Sequence, residues 1–175
     1  MLIGVMPSDH GRKEAADPAA RAREICLRQL ETRPRSHAEL AATLGRRGVD
    51  PDTAEAVLAR LIEVGLVDDK AFATALISSA RANRSLGRRG LVHELRRRGV
   101  DVEVASAALA DLDTLDTHDE EAAARELVRR RMPAMDRLPN QVRARRLTAL
   151  LDRRGYHPDL VVRVVTEELT DGSLD

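Results

Sequence analysis

Aromatic side chains are almost absent from this chain of 175 residues, which has no tryptophan and carries only the rings of Phe72 and Tyr156. Proteins that bind single-stranded nucleic acid by base stacking need several exposed aromatic rings, so this kind of binding surface is excluded. Cysteine is scarce as well, because Cys26 is the only one. An internal disulfide is therefore excluded, and the position of Cys26 between Ile25 and Leu27 on a helical pattern predicts a buried structural thiol.

Long hydrophobic runs and export signals are also missing. No apolar run approaches the roughly 18 residues that span a bilayer, and residues 1–18 lack the apolar centre of a secretory signal. We therefore expect a soluble, cytoplasmic protein that makes no membrane contact. Residues 1–18 are predicted to be a disordered N-terminal tail, and residues 171–175 a C-terminal tail.

Sequence motifs of catalysis and metal binding are absent too. The five histidines are far apart, and there is no phosphate-binding glycine loop, nucleophile elbow or metalloprotease helix motif. We expect a protein that is not an enzyme and that binds neither a metal nor a cofactor. The acidic pairs Asp68-Asp69 and Glu120-Glu121 are interpreted as helix caps that compensate a helix dipole.

What the sequence does contain is an internal repeat. Three segments, which begin at Leu40, Leu91 and Leu147, place leucines eight and four residues before a central glycine and small or branched apolar residues after it. This pattern predicts a helix, a left-handed glycine stop and a second helix. A further helical segment precedes each pair, and no stretch alternates at period two, so no sheet is predicted. The central glycines are Gly48, Gly99 and Gly155.

The chain is thus predicted to be all-α, with three tandem three-helix repeats forming an elongated, curved array. The repeats are placed at residues 19–67, 68–116 and 117–170. The helix breakers between Met132-Pro133 and Leu138-Pro139 insert extra residues, which predicts that the third repeat is joined more loosely than the others.

Charge is balanced in total, with 29 basic and 29 acidic residues, but it is segregated along the chain. Residues 81–98 carry seven arginines and one acid, residues 111–121 carry six acids and no lysine or arginine, and residues 125–154 carry ten arginines and three acids. A fork of guanidinium N–H groups holds phosphate well, so an anionic polymer is a natural partner for the basic stretches.

Helical geometry, at about 100° per residue, sorts these arginines by direction. The arginine directly before each central glycine lies beside the core leucines and is interpreted as structural, as at Arg98. The arginine two before the glycine points outward, and the second and third repeats add further outward residues. A solvated arginine face without a partner remains the alternative. The candidate DNA- or filament-binding residues are Arg46, Arg89, His93, Arg96, Arg97, Arg145, Arg146 and Arg153.

Residues 36–69 also have the pattern of a winged helix-turn-helix, so a sequence-specific DNA-binding transcription regulator is the alternative function. A wing needs two strands after Val67, whereas the chain continues there with a helical pattern. The two GRRG strings, Gly45–Gly48 and Gly87–Gly90, are similar to the GxxG loop of some RNA-binding domains. They fall at different places in the predicted repeats and therefore support no shared mechanism.

The spaced motifs of the first two repeats resemble the RecX family of bacterial regulatory proteins, which modulate the RecA recombinase. The matching residues are L-x-x-R-P-R-S-x-x-E-L from Leu30, G-L-V-D-D from Gly65, and G-x-x-x-L-x-x-E-L-x-x-x-G from Gly87. Phe72-Ala73 and Arg81 belong to the same series. The resemblance covers roughly residues 20–170 and is weaker over the third repeat.

The resemblance implies a role in recombination, DNA repair and the SOS response. It implies an all-helical protein that binds the RecA nucleoprotein filament along its groove and slows ATP hydrolysis, strand exchange and co-protease activity. We expect a monomer that contacts single-stranded DNA, and double-stranded DNA as well, without sequence preference. In our hypothesis, DNA phosphates meet the outward arginines while the acidic segment 111–121 meets protein.

Overall fold

The structure of the chain, a computed structural model, describes residues 17–113 and 117–171, without the side chains of residues 112–119 and 171. Nearly all of the two predicted tails lies outside the described residues. Within them the chain is all-α, with nine α-helices, one 3-10 turn and no strand, which confirms the predicted fold class. The helices are α1 (Pro18–Thr32), α2 (His37–Arg46), α3 (Pro51–Glu63), α4 (Asp69–Arg84), α5 (Arg88–Arg97), α6 (Val102–Asp113), α7 (Thr117–Arg131), α8 (Asn140–Arg154) and α9 (Pro158–Asp171).

Short polar side chains start several of these helices. The side chains of Asp17, Ser36, Asp50 and Asp68 each accept hydrogen bonds from backbone N–H groups in the first turn of α1, α2, α3 and α4. Those N–H groups have no hydrogen-bond partner within the helix, so each cap stabilises the folded protein by roughly 1 kcal/mol. The capping role predicted for Asp68 is therefore confirmed.

Glycine ends the first helix of each predicted repeat pattern. Gly48 and Gly99 have φ of 71°, and Gly155 has φ of 78°. A residue with a Cβ is strained in this left-handed region, so the three predicted glycine stops are confirmed. Gly65, which the repeat pattern did not single out, ends α3 in the same conformation with φ of 72°.

The first compact unit of the chain ends at Val67 and contains α1, α2 and α3. Its core is built from Leu40, Leu44 and Leu58 with Cys26 of α1, and both α2 and α3 pack against α1. Cys26 is fully buried, and burial raises the pKa of its thiol. The predicted structural role of Cys26 is confirmed.

The chain continues from Val67 directly into α4, which begins at Asp69. No pair of wing strands follows α3 in the described part of the chain. The structure therefore removes the architectural basis for a winged helix-turn-helix, because the second unit opens on a helix that carries core residues such as Phe72 and Ile77.

The second compact unit begins at Asp68 and contains two helix triplets. Leu91 and Leu95 lie in the core of α4–α6, and Leu147 and Leu151 lie in the core of α7–α9. The breakers after Met132 form a 3-10 turn, Pro133–Met135, whose Met135 is buried in the second of these cores.

The prediction of a loosely joined third repeat is wrong. The third triplet shares its compact unit with the second, and α5 contacts α8 directly. The inserted residues do not act as a spacer, because Met135 and Leu138 pack onto the core of their own triplet.

Candidate functional site

The N-terminal end of helix α5 lies against the C-terminal end of helix α8. Backbone hydrogen bonds connect the two helix ends. The N–H of Gly87 donates to the carbonyl of Arg154, and the N–H of Arg89 donates to the carbonyl of Gly155, both at 3.0 Å. Gly87, which precedes α5, has no side chain that could cap the helix. The carbonyl end of α8 thus satisfies first-turn N–H groups of α5, and the negative end of one helix dipole meets the positive end of the other.

Three glycines allow this close approach. A Cβ on Gly90 would lie 2.3 Å from the carbonyl oxygen of Arg154, and one on Gly87 would lie 2.8 Å from the carbonyl oxygen of Gly155. The second GRRG string is therefore a packing element, because backbone atoms occupy the space that side chains would need. In the first string, by contrast, a Cβ on Gly45 would meet no described atom within 4 Å.

Tyr156 makes a further contact at the same junction. Its hydroxyl donates to the carbonyl of Ser85 at 3.0 Å, although the two residues are 71 positions apart. Ser85 has φ of 47°, the left-handed conformation that residues with a Cβ seldom adopt. The ring is fully buried, and burial raises the pKa of the hydroxyl to about 12.

The acidic residues at the start of α7 have partners that the sequence did not reveal. Glu120 accepts from the backbone N–H of Arg88 at 2.8 Å, so this carboxylate caps α5 and not its own helix. Glu121 forms ion pairs with Arg125 and Arg163, both at 2.7 Å. The interpretation of the pair as caps of α7 is corrected accordingly.

The same contacts bear on the acidic segment 111–121 and its hypothetical protein partner. Besides Glu120 and Glu121, Asp111 is engaged inside the chain, where it lies 3.8 Å from Lys70. The side chains of the acids between residues 112 and 119 lie outside the described part of the structure. The acids that are described have partners inside the second unit, which leaves the hypothesis without support from them.

The outward residues predicted on α5 form one row. Arg89, His93 and Arg96 are exposed at spacings of four and three residues, which places them on one helix face. None of the three has an ion pair or a side-chain hydrogen bond with another described residue. A second row lies on α8, where Arg146 and Arg153 are exposed seven residues, or two turns, apart and are likewise unpaired among the described residues.

Both rows lie on helices whose ends meet at the junction of α8 with α5. Arg153 precedes the last residue of α8, and Arg89 follows the first residue of α5. The backbone hydrogen bonds that join these helix ends therefore hold the two rows in a fixed relation. We call the set Arg89, His93, Arg96, Arg146 and Arg153 the basic strip.

Arg97 is not included in this strip, because its guanidinium is paired inside the chain and is not free as the sequence suggested. Its guanidinium lies 2.6 Å from a carboxylate oxygen of Glu94. The buried Glu94 is also approached by Arg84 and by the half-buried Arg98. The hydrogen bonds from Arg97 first and Arg84 second lower the pKa of the Glu94 carboxyl to about 2, against burial, which raises it.

Arg46 lies in the first unit, whereas the other seven candidate residues lie in the second. It is exposed, and its guanidinium donates to the hydroxyl of Thr43 at 2.9 Å.

Arg145, the remaining candidate, is exposed beside the basic strip and lines a shallow groove in the third triplet. The groove has a volume of about 560 Å³ and is also lined by Arg131, Arg146 and Arg153. Its other lining residues, which include Met135 and Leu150, are apolar. Sequence reasoning missed Arg131 and this apolar floor, because they come from two segments that meet only in the fold.

Neither a metal centre nor a membrane span is found in the part of the chain that the structure describes. No three potential metal ligands gather at one place. No helix there combines the length and the apolar character needed to cross a bilayer.

Comparison with known proteins gives a consistent match along the chain. Residues 22–61 match a family model described as the first three-helix domain of RecX, and residues 68–109 match the second three-helix domain. The "Regulatory protein RecX" of Thermobifida fusca is 49% identical over 91% of this chain and 84% of its own length. The protein of the same name from Mycolicibacterium vanbaalenii is 42% identical over 98% of this chain and 96% of its own length.

The fold is similar to that of solved structures as well. The crystal structure of RecX from Lactobacillus salivarius superposes with a TM-score of 0.75 over 87% of this chain and 97% of that chain. Sequence identity in that comparison is 17%, so it supports the fold.

Proposed function

The chain belongs to the RecX family of regulatory proteins, and we propose that it binds the RecA nucleoprotein filament and inhibits the filament's activities without catalysing a reaction itself. The activities concerned are ATP hydrolysis, strand exchange and co-protease function. The protein would act in the cytoplasm as a monomer, in recombination and DNA repair.

The observation that carries this proposal is the basic strip. Its arginines are exposed and free of ion pairs with described residues, whereas Arg125 and Arg129 of the same unit are held by carboxylates. Unpaired guanidinium groups spaced along two joined helices suit the repeating phosphates of a nucleic-acid strand. With no aromatic ring to stack on bases, such contact would carry little sequence preference.

The junction gives the strip the stiffness that this role needs. A rigid regulator that binds a filament at several points stabilises the filament conformation to which it is complementary. Any step of the filament's reaction that requires another conformation is then slowed. The backbone hydrogen bonds of Gly87 and Arg89 fix the α8 row relative to the α5 row. In this proposal Arg145 extends the strip on α8, and Arg46 supplies a separate contact from the first unit.

The direct test is a titration of the protein into a RecA ATPase assay on circular single-stranded DNA. We expect the hydrolysis rate to fall as the protein approaches an amount equal to RecA, and the protein alone to hydrolyse no ATP. An unchanged rate up to equimolar protein would overturn the proposal. Binding to one duplex sequence in preference to random competitor would favour the transcription-regulator alternative instead.

A matched variant shows whether the strip is responsible. Arg28, Arg60 and Arg130 are exposed and paired with carboxylates three or four residues away. Replacing these three by Ala removes the same charge from outside the strip, and we expect full inhibition to remain. Replacing Arg89, Arg96 and Arg153 by Ala is expected to weaken the inhibition.

A further inference from the structure

The groove of the third triplet differs in chemistry from the rest of the basic strip. Four arginines line it, namely Arg131 from the end of α7 and Arg145, Arg146 and Arg153 from α8. No described carboxylate belongs to its lining, and none of the four guanidinium groups has an ion pair with another described residue. Between them lies an apolar floor that includes Met135 and Leu150.

Phosphate binding explains the arginines but leaves the floor without a role. A phosphodiester strand presents charge and sugar to a surface, and it gains little from an apolar floor. Base stacking would use such a floor only through aromatic rings, and the floor has none. Arg89, His93 and Arg96 of α5 do not line this groove, so the two halves of the strip differ in their surroundings.

A carboxylate-rich peptide with an aliphatic side chain satisfies both features. Guanidinium groups bind carboxylates through two parallel hydrogen bonds, so four unpaired arginines can engage several acidic side chains. An aliphatic side chain placed between them would cover the partly exposed Leu150 and the small exposed part of Met135, and so remove apolar surface from water. Charge complementarity therefore indicates an acidic ligand. The apolar floor indicates that this ligand carries an aliphatic side chain.

We propose that this groove, lined by Arg131, Arg145, Arg146 and Arg153 over Met135 and Leu150, is a docking site for an acidic protein segment that carries an aliphatic anchor residue. In this inference Arg145, Arg146 and Arg153 serve phosphate and peptide alternatively, while Arg89, His93 and Arg96 of α5 serve phosphate alone. This inference goes beyond the filament proposal, because it concerns a peptide of stated chemistry and is tested in the absence of RecA and DNA.

The test measures binding of a short fluorescein-labelled peptide of aspartate and serine residues with one central leucine, by fluorescence anisotropy with the full chain. A second peptide has serine in place of the leucine, and an oligodeoxythymidylate serves as the phosphate probe. We expect the leucine peptide to bind about tenfold more tightly than the serine peptide, because only the former covers the floor.

Variants locate the binding. The double variant Arg145→Ala, Arg146→Ala is expected to bind the leucine peptide about tenfold more weakly, since two exposed charge contacts are lost. The matched control, Arg130→Ala with Arg137→Ala, removes equal charge from exposed positions of the same triplet that do not line the groove and is expected to bind as the parent does. Ala149→Glu places a carboxylate in the groove lining and is expected to abolish peptide binding, with circular dichroism confirming the helical fold.

Two outcomes would overturn the inference. Equal affinity for the leucine and serine peptides would show that the groove recognises charge alone. An equal loss of peptide affinity in the control and groove variants would show that the peptide binds elsewhere. Inhibition of RecA without peptide binding would support the proposed function and contradict the docking site. Peptide binding without inhibition of RecA would support the docking site and contradict the proposed function.

Discussion

Gly90 and Gly155 are in direct backbone contact, because a Cβ atom on Gly155 would lie 2.1 Å from the backbone nitrogen of Gly90. Helices α5 and α8 can therefore meet end to end with main-chain hydrogen bonds and without an intervening side chain. Gly155 serves two purposes, since it also ends α8 in the left-handed conformation. The contact between the second and third triplets thus needs glycine at both Gly90 and Gly155. The repeat pattern accounts only for Gly155, as a helix stop.

Gly90→Ala is predicted to destabilise the second unit. The new methyl group would lie 2.3 Å from the carbonyl oxygen of Arg154, and backbone atoms cannot turn aside as a flexible side chain can. We expect a loss of about 1–3 kcal/mol in the free energy of unfolding, the usual cost of overpacking. Urea denaturation followed by circular dichroism measures it.

The matched control lies in the other GRRG string. Gly45 is an exposed residue of α2, and a Cβ there meets no described atom within 4 Å. Gly45→Ala is expected to leave stability unchanged or to raise it by up to about 1 kcal/mol, because alanine favours the helix. Equal effects at Gly45 and Gly90 would contradict the packing role of the junction.

The helices and their glycine stops could be predicted from the sequence because both depend on residues close together in the chain. The leucine spacing gives the buried face, and the glycine gives the stop. The junction could not be predicted, since Gly87 and Gly155 are distant in sequence and a local pattern does not show what a glycine faces. The sequence therefore suggested a loose third repeat where the structure has a backbone-to-backbone contact.

The candidate site shows the same limit for side chains. A helical wheel places Arg96 and Arg97 on the outside of α5, but it does not say which of them a carboxylate holds. Glu94 lies three residues before Arg97, a spacing that brings side chains together on a helix, and this signal could have been used. The groove under Arg146 could not have been found, because Arg131 and Met135 reach it through tertiary packing.

Glu94 is predicted to make stability depend on pH between about 4.5 and 2. Its pKa in the folded protein is lowered to about 2, while the ordinary value is 4.5. Because the folded value is the lower one, the stabilisation is fully present above pH 4.5 and is lost as the pH falls toward 2. We expect a contribution of about 2 kcal/mol at neutral pH, after allowance for the exposure of the arginine partners.

Glu94→Gln isolates this contribution from other carboxylates that titrate in the same range. The variant is expected to lose about 2 kcal/mol at neutral pH and to converge with the parent near pH 2, in thermal or urea unfolding across the range. Glu126→Gln is the control, because Glu126 is exposed and its ion pair with Arg130 spans 3.6 Å. A constant difference between parent and Glu94→Gln at every pH would contradict the assignment.

Arg96 and Arg97 are neighbours with opposite predicted roles. Arg97→Ala removes a guanidinium 2.6 Å from Glu94, so we expect a loss of about 1 kcal/mol in unfolding free energy and little change in DNA affinity. Arg96→Ala removes an exposed group without an ion pair among the described residues, so we expect unchanged stability and weaker DNA binding. Thermal unfolding and anisotropy with labelled oligodeoxythymidylate separate the two, and equal effects on DNA affinity would show that pairing with Glu94 does not withdraw Arg97 from the surface.

The basic strip as a whole is tested by the salt dependence of DNA binding. Each phosphate contact on single-stranded DNA contributes about 0.7 to the slope of log affinity against log salt, so Arg89→Ala, Arg96→Ala and Arg153→Ala together should lower the slope by about 2. The variant with Ala at Arg28, Arg60 and Arg130 has the same net charge, so any general attraction between protein and DNA changes equally in both. A difference in slope between the two variants therefore reports where the phosphates lie, and identical slopes would mean that the protein attracts DNA by net charge without using the strip.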